Sequence, residues 1–192
     1  MQVFTEQDFL VSNWSGGKTI QLYVYPAFAN YTDRNFKLRI SIAHVEQDAS
    51  DFTSLPGFHR KLMVLDGEIQ IFHEGYHSKR LRQFESDDFD GAWTTRSIGK
   101  CVDFNVMTTP ELNSELSVLN LNVGQVTLLE TGANTSLFLY VKKGSILIKS
   151  QGVNSEVIHN QLLKLDFVHK EELQITSVGK SDLVLTMIQP MI

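Results

Sequence analysis

Apolar and polar residues alternate with a period of two along most of this chain, and no sustained 3.6-residue periodicity competes with it. Phe36, Leu38, Ile40 and Ile42 alternate with Lys37, Arg39, Ser41 and Ala43. Successive side chains of a strand point to opposite faces, so such segments read as strands. Asp66-Gly67 separates 62–65 (Leu-Met-Val-Leu) from 68–72 (Glu-Ile-Gln-Ile-Phe). That dipeptide has the composition of a two-residue type I′ turn, which needs positive φ at both central positions. A hairpin there pairs Val64 with Ile69 and Leu62 with Ile71. Glu74-Gly75 reads as the next turn, and short strands continue to the end of the chain. The expected fold class is all-β.

The strand–Gly–strand–Gly–strand unit occurs twice. A shift of 77 residues places Gly67 on Gly144, Gly75 on Gly152, Ile69 on Ile146, Ile71 on Ile148, Leu62 on Leu139 and Val64 on Val141. One further residue of slip sets Asp88-Phe89 on Asp166-Phe167. The chain therefore reads as two β-sandwich or barrel halves, residues 1–112 and 113–192. The repeat concerns architecture alone, since folding by itself asks for turn glycines and apolar pairs.

Lys and Arg number 17 against 22 Asp and Glu, a net charge of −5. With no basic block, the chain has nothing with which to neutralise a phosphate backbone, so nucleic acid is not an expected partner. The longest apolar run, Leu137 to Val141, is five residues against the roughly 20 of a membrane helix, so no membrane partner is expected either. One cysteine, Cys101, excludes an intrachain disulfide. With no basic or apolar leader at the N-terminus, a cytoplasmic location is expected.

Four segments carry the motifs of one known family. Phe36-Lys-Leu-Arg39-Ile-Ser41-Ile-Ala43 is similar to its aromatic-x-Arg-x-Ser-Ile-Ala strand. Phe52-Thr-Ser54-Leu-Pro56-Gly57-Phe-His-Arg60 is similar to its Phe-Ser-x-Phe-Pro-Gly-x-x-Arg segment. Asp103-Phe-Asn105-Val-Met107-Thr108 matches its Asp-Phe-Asn-x-Met-Thr motif, and Trp14, Gly16-Gly17 and Thr19 resemble its opening. The spacing from Trp14 to Thr19 is about two residues short and an expected asparagine is missing. Together the four segments resemble the HutD/Ves family of bicupins, and the resemblance implies a double-stranded β-helix jelly roll in two tandem cupin-like units. It also implies a protein that binds a small metabolite, in some members an intermediate of histidine degradation, and moderates flux.

Strand parity puts Arg39 and Ser41 on one face and Asp103, Asn105 and Met107 on one face. If these faces line a barrel mouth, then Arg39, Ser41, Asp103 and Asn105, with Arg60 beyond the Pro56-Gly57 turn, could hold a small anionic or zwitterionic metabolite. His59, beside Arg60, is a further candidate ligand contact. From residue types alone, an Arg39–Asp103 ion pair closing the barrel end is an equal alternative.

No His-x-His exists, and such a pair is what cupin metal sites use, because alternate strand residues point the same way. With a two-residue turn at Glu74-Gly75, His73 and His77 lie on opposite faces. His44, His159 and His169 are isolated. No metal and no cofactor is expected. Cys101 reads as a packed thiol. Ser15-Gly16-Gly17-Lys18-Thr19 lacks the phosphate-loop spacing. Trp14 reads as a packing anchor, and the C-terminal half reads as scaffold.

The leading reading is a ligand-binding bicupin that is non-enzymatic or only weakly enzymatic. A metal-independent isomerase or lyase with Asp103 as base is one alternative. A structural or interaction protein is another, and a homodimer is compatible with all three.

Overall fold

The computed structural model describes residues 1–150 and 152–191. Among these residues there are eighteen strands and no helix. In chain order they are β1 (Gln2–Phe4), β2 (Leu10–Trp14), β3 (Gly17–Tyr25), β4 (Leu38–Val45), β5 (Ala49–Asp51), β6 (His59–His73), β7 (Ser78–Arg82), β8 (Ser86–Asp90) and β9 (Thr95–Ile98). There follow β10 (Cys101–Thr108), β11 (Leu112–Leu121), β12 (Val126–Thr131), β13 (Thr135–Lys143), β14 (Ser145–Ser150), β15 (Val153–Ile158), β16 (Leu162–Phe167), β17 (Glu171–Ser177) and β18 (Ser181–Pro190). They form two compact units, one of Phe9–Leu112 and one of Met1–Asp8 with the residues from Asn113 onward. The first eight residues thus differ from the 1–112 division read from sequence: β1 is an edge strand, antiparallel to β16 through Val3 opposite Leu163.

In the unit Phe9–Leu112 the strands run β2-β3-β4-β10-β6-β9-β5, with β7 and β8 also on β6. The expected Asp66-Gly67 hairpin does not exist. β6 is one fifteen-residue strand whose first part pairs with β10 and β8 and whose second part pairs with β7 and β9. Gly67 makes the bend between them at φ +80, and a Cβ there would lie 2.5 Å from the Lys100 carbonyl oxygen. The register slips at the same place, with Val64 opposite Asp103 but Asp66 opposite Val102, as a β-bulge requires. Leu62, Val64, Ile69 and Ile71 still share one core, together with Leu81, Phe89 and Cys101, although they face one another across a bend and not across a turn.

The Glu74-Gly75 turn is one residue longer than its composition suggests. Phe72 pairs with Ser78 and the His73 amide donates to the His77 carbonyl at 2.8 Å, leaving Glu74, Gly75 and Tyr76 in the loop. Because side chains alternate with period two, that extra residue reverses the face of His77.

The other unit has a five-stranded sheet β1-β16-β13-β18-β11 and a four-stranded sheet β12-β17-β14-β15. Leu137, Leu139 and Val141 of β13, Leu163, Leu165 and Phe167 of β16 and Leu183 and Leu185 of β18 form one cluster with Ile146, Ile148, Val157, Leu173 and Ile175 of the second sheet. This is a sandwich core of apolar side chains. Gly144 takes the same role as Gly67, at φ +82 and with no room for a Cβ beside Ser181.

Candidate functional site

Three adjacent strands of the unit Phe9–Leu112 build a cavity of about 350 Å³. The register fixes rows across them. Arg39 of β4 and Arg60 of β6 flank Met107 of β10, Ser41 and Leu62 flank Asn105, and Ala43 and Val64 flank Asp103. Every second residue faces the same way, so one side of this ladder carries two guanidiniums, a hydroxyl, an amide and a carboxylate. Arg39, Ser41, Arg60, Asp103 and Asn105 all line the cavity and all are buried, the most exposed at 6 %. His59 alternates with Arg60, is exposed, lies opposite Thr108 and Asp90, and does not line the cavity.

The loop between β3 and β4 supplies a wall that the alternation of the strands does not reveal. The Asn30 side chain donates to Asp33 Oδ2 and accepts from the Asp33 backbone amide, and Tyr31 stacks on Phe36 with ring centroids 6.4 Å apart. Phe36 belongs to a core with Leu55, Phe58 and Met107, which holds Tyr31 under the Arg39 guanidinium, 4.6 Å from its ring centre. Phe52 carries Arg60 in the same way at 5.0 Å. Trp14 also lines the cavity and is 37 % exposed. Its ring occupies the space a Cβ on Gly16 would fill, so the packing anchor expected from sequence is at the same time part of the cavity wall.

The hydrogen bonds leave the cations under-satisfied. Arg39 donates from Nε to Gln21 Oε1 at 2.8 Å and from a terminal nitrogen to Ser41 Oγ at 3.1 Å. Among the described residues Arg60 donates only to the Thr53 carbonyl at 3.5 Å and to Asn105 Oδ1 at 3.4 Å, and its buried Nε has no partner there. Asn105 donates in turn to Asp103 Oδ1, and the Cys101 thiol lies 3.6 Å from Oδ2. Among the described residues neither arginine makes an ion pair with a carboxylate. The Arg39–Asp103 pair weighed from sequence is therefore not formed, because the two stand in different rows of the ladder.

Electrostatics follow from burial. Desolvation pulls Arg39 down to about 10, with Arg60 nearby pushing the same way, so it remains a cation at neutral pH. Arg60 is lowered for the same reason, opposed by Tyr31 and Asp103. Burial pushes the Asp103 carboxyl up to about 7 against the pull of Arg60, Cys101 and Asn105. The Cys101 thiol is pushed up by burial and by the neighbouring carboxylate, which leaves it protonated and a poor nucleophile.

Residues 6–185 match the HutD family profile. The chain belongs to the HutD family. A comparison with curated proteins gave no match. The conserved protein PA5104 from Pseudomonas aeruginosa PAO1 superposes with a TM-score of 0.85 at 20 % identity, covering 98 % of both chains. HutD from Pseudomonas fluorescens SBW25, in a formate condition, gives 0.76 at 18 %, covering 99 % of this chain and 98 % of that one. The bacterial pirin YhhW from Escherichia coli in complex with nickel(II) gives 0.71 at 14 %, covering 100 % and 99 %. At these identities the likenesses establish the fold, a cupin jelly roll. The cavity of this HutD-family chain does not suit a cupin metal ion, since a cation would meet two guanidiniums beside one buried carboxylate and an amide.

Sequence reading missed Gln21, Tyr31 and Phe52. Gln21 alternates correctly on β3 and could have been found by parity, but Tyr31 and Phe52 are placed by loops. It also misplaced His73 and His77. Both reach the same carboxylate, His73 Nε2 lying 3.1 Å and His77 Nε2 3.0 Å from Asp87 Oδ2, because the three-residue turn brings them to one face.

Proposed function

We propose that the cavity of the unit Phe9–Leu112 binds a small carboxylate metabolite, in a regulatory or flux-moderating role, while the other unit serves as scaffold. The observation that carries this reading is the pair of buried guanidiniums, neither of which makes an ion pair with a carboxylate among the described residues. Holding an ion away from water costs several kcal/mol even after relaxation, and two such ions within one cavity make an anion the complementary occupant. Charge-assisted bonds from planar guanidiniums suit a carboxylate. Burial pushes the Asp103 carboxyl up to about 7; as an acid it can donate to the same anion, and as a carboxylate it can accept from an amine on it. A volume of about 350 Å³ is at the small end for ligand sites. The aromatic wall of Trp14, Tyr31 and Phe52 gives a short apolar or planar body something to pack on.

The family name directs the choice of ligands towards histidine-degradation intermediates. Thermal unfolding with urocanate, formiminoglutamate, formylglutamate, histidine and glutamate tests the reading. A ligand at ~100 times its dissociation constant adds ~2.7 kcal/mol to stability. The shift should vanish in Arg39→Ala and Arg60→Ala. No shift with any of the five, or a shift that survives both substitutions, sinks the proposal.

The raised carboxyl of Asp103 favours one second reading, a metal-independent enzyme in which Asp103 exchanges a proton with the bound carboxylate. Turnover of a ligand that shifts the melting curve, lost in Asp103→Asn with binding retained, would select it.

A further inference from the structure

A second cluster lies apart from the arginine cavity, where the β6–β7 turn meets β8 and β9. His73 closes β6, His77 follows the turn, and Asp87 stands on β8. The donor atoms of all three lie within 4.8 Å of one another. Both imidazole Nε2 atoms converge on one carboxylate, His73 at 3.1 Å from Oδ2 and His77 at 3.0 Å from Oδ2 and 3.2 Å from Oδ1. Bond lengths of ~2.0–2.2 Å to a shared ion put neighbouring donors roughly 3 Å apart, so the two nitrogen–oxygen separations already suit a common metal. The remaining His–His separation closes by rotation of His77, whose side chain is 40 % exposed, while His73 and Asp87 are fixed by burial at 0 % and 7 %.

The surroundings prepare the ring of His73 for this role. Its Nδ1 lies 2.8 Å from Thr95 Oγ1, and the Thr95 hydroxyl donates to the Trp93 carbonyl at 3.2 Å. A hydroxyl has one proton, so while Thr95 donates to Trp93 it accepts from His73 Nδ1–H. That tautomer turns the bare lone pair of Nε2 towards the Asp87 carboxylate. Two facing acceptors repel, and an interposed cation reverses the sign. A ring nitrogen held through a hydroxyl to a backbone carbonyl is the kind of outer-shell support that metal-ligating histidines have. Phe89 and Trp93 pack against the His73 ring at 4.4 and 5.4 Å and exclude water from one side. His77 and Tyr76 open on a groove of about 650 Å³ that Glu74 also lines, which gives an ion an entry and leaves one coordination position for water.

We propose that His73, His77 and Asp87 bind a divalent transition-metal ion, zinc in the first instance, as a clamp that ties the β6–β7 turn to β8. Two imidazoles and one carboxylate are a donor set for ions of intermediate softness and not for calcium or magnesium. The site shares no residue with the arginine cavity and stands or falls independently of the carboxylate reading.

The test is equilibrium dialysis of the full chain against Zn²⁺ after chelation, with Co²⁺ absorption reporting the ligand field. One ion per chain is expected, with His77→Ala weakening binding at least ~100-fold, the upper end of what loss of an outer-shell partner costs. Thr95→Val should weaken it ~10–100-fold, with Thr95→Ser restoring it, and His159→Ala should leave it unchanged. If the alanine variant does not fold, Asp87→Asn takes its place with the same expected loss. No ion retained by the unsubstituted chain, or equal affinity in the His77 or Asp87 variant, overturns the proposal.

Discussion

The two units run the same ladder and fill it differently. In the unit Phe9–Leu112, Arg60, Leu62 and Val64 of β6 face Met107, Asn105 and Asp103 of β10. In the other unit, Leu137, Leu139 and Val141 of β13 face Met187, Leu185 and Leu183 of β18. Each ladder slips register at its fourth step, beside a glycine at φ +80 or +82. Arg60 thus corresponds to Leu137, Asn105 to Leu185 and Asp103 to Leu183. Backbone geometry is shared, and three side chains decide whether the interior is a dry apolar core or a polar cavity. The site we propose lies where one copy breaks the apolar pattern that the other keeps.

The most severe way to break the comparison is to place the carboxylate in the copy without arginines. Leu183→Asp puts a charge opposite Val141, within the apolar cluster that also holds Leu139 and Ile148, and should cost ~4 kcal/mol or more, since those side chains offer it no partner. Urea unfolding measures it, and a loss below ~1 kcal/mol would mean that the second ladder is wetter than its packing implies.

The converse exchange sharpens the point. A combined Arg60→Leu, Asp103→Leu and Asn105→Leu variant makes the first ladder resemble the second. Buried ionic groups replaced by apolar ones of similar volume often leave stability unchanged or raise it by ~1–4 kcal/mol. That variant should unfold at equal or higher urea and respond to no carboxylate. A large loss of stability would show that the polar groups hold the fold and are not reserved for a ligand.

Gly67→Ala tests the shared bend. Positive φ costs ~1–3 kcal/mol for a residue with a Cβ, and the Lys100 carbonyl 2.5 Å away cannot yield without moving β10. Gly75→Ala, with the same sign of φ but nothing within 4 Å, should cost less. Equal effects would remove the argument from close approach.

A further effect is in pH dependence. The Asp103 carboxyl is pushed up to about 7 from 3.8, so the folded state holds its proton longer than the unfolded chain does. Its contribution is fully present below about pH 4 and is lost as pH rises towards 7. Relative to Asp103→Asn, the unsubstituted protein should therefore lose stability between pH 5 and pH 8. A pH-independent difference between the two would place the carboxyl in water.

Much of this was legible in the sequence, for reasons that differ by residue. Arg39, Ser41, Asp103 and Asn105 sit on regular strands, where parity alone assigns a face. Arg60 follows because β6 is regular up to Gly67. His59 was drawn in by adjacency to Arg60, although neighbours in a strand point apart. The Asp66-Gly67 hairpin failed because positive φ at a glycine serves a bulged bend as well as a turn, and local sequence does not say which. His73 and His77 failed because one residue of loop length reverses every face beyond it. Tyr31 and Phe52 were out of reach, since loops carry no period to count.

The most direct measurement is a crystal structure of the protein with whichever of the five carboxylates raises its melting temperature most. The account predicts its carboxylate in the cavity of the unit Phe9–Leu112, within hydrogen-bonding distance of both Arg39 and Arg60, and none among the leucines of β13 and β18. A ligand seated elsewhere, or an empty cavity with either guanidinium swung onto Asp103, would contradict it.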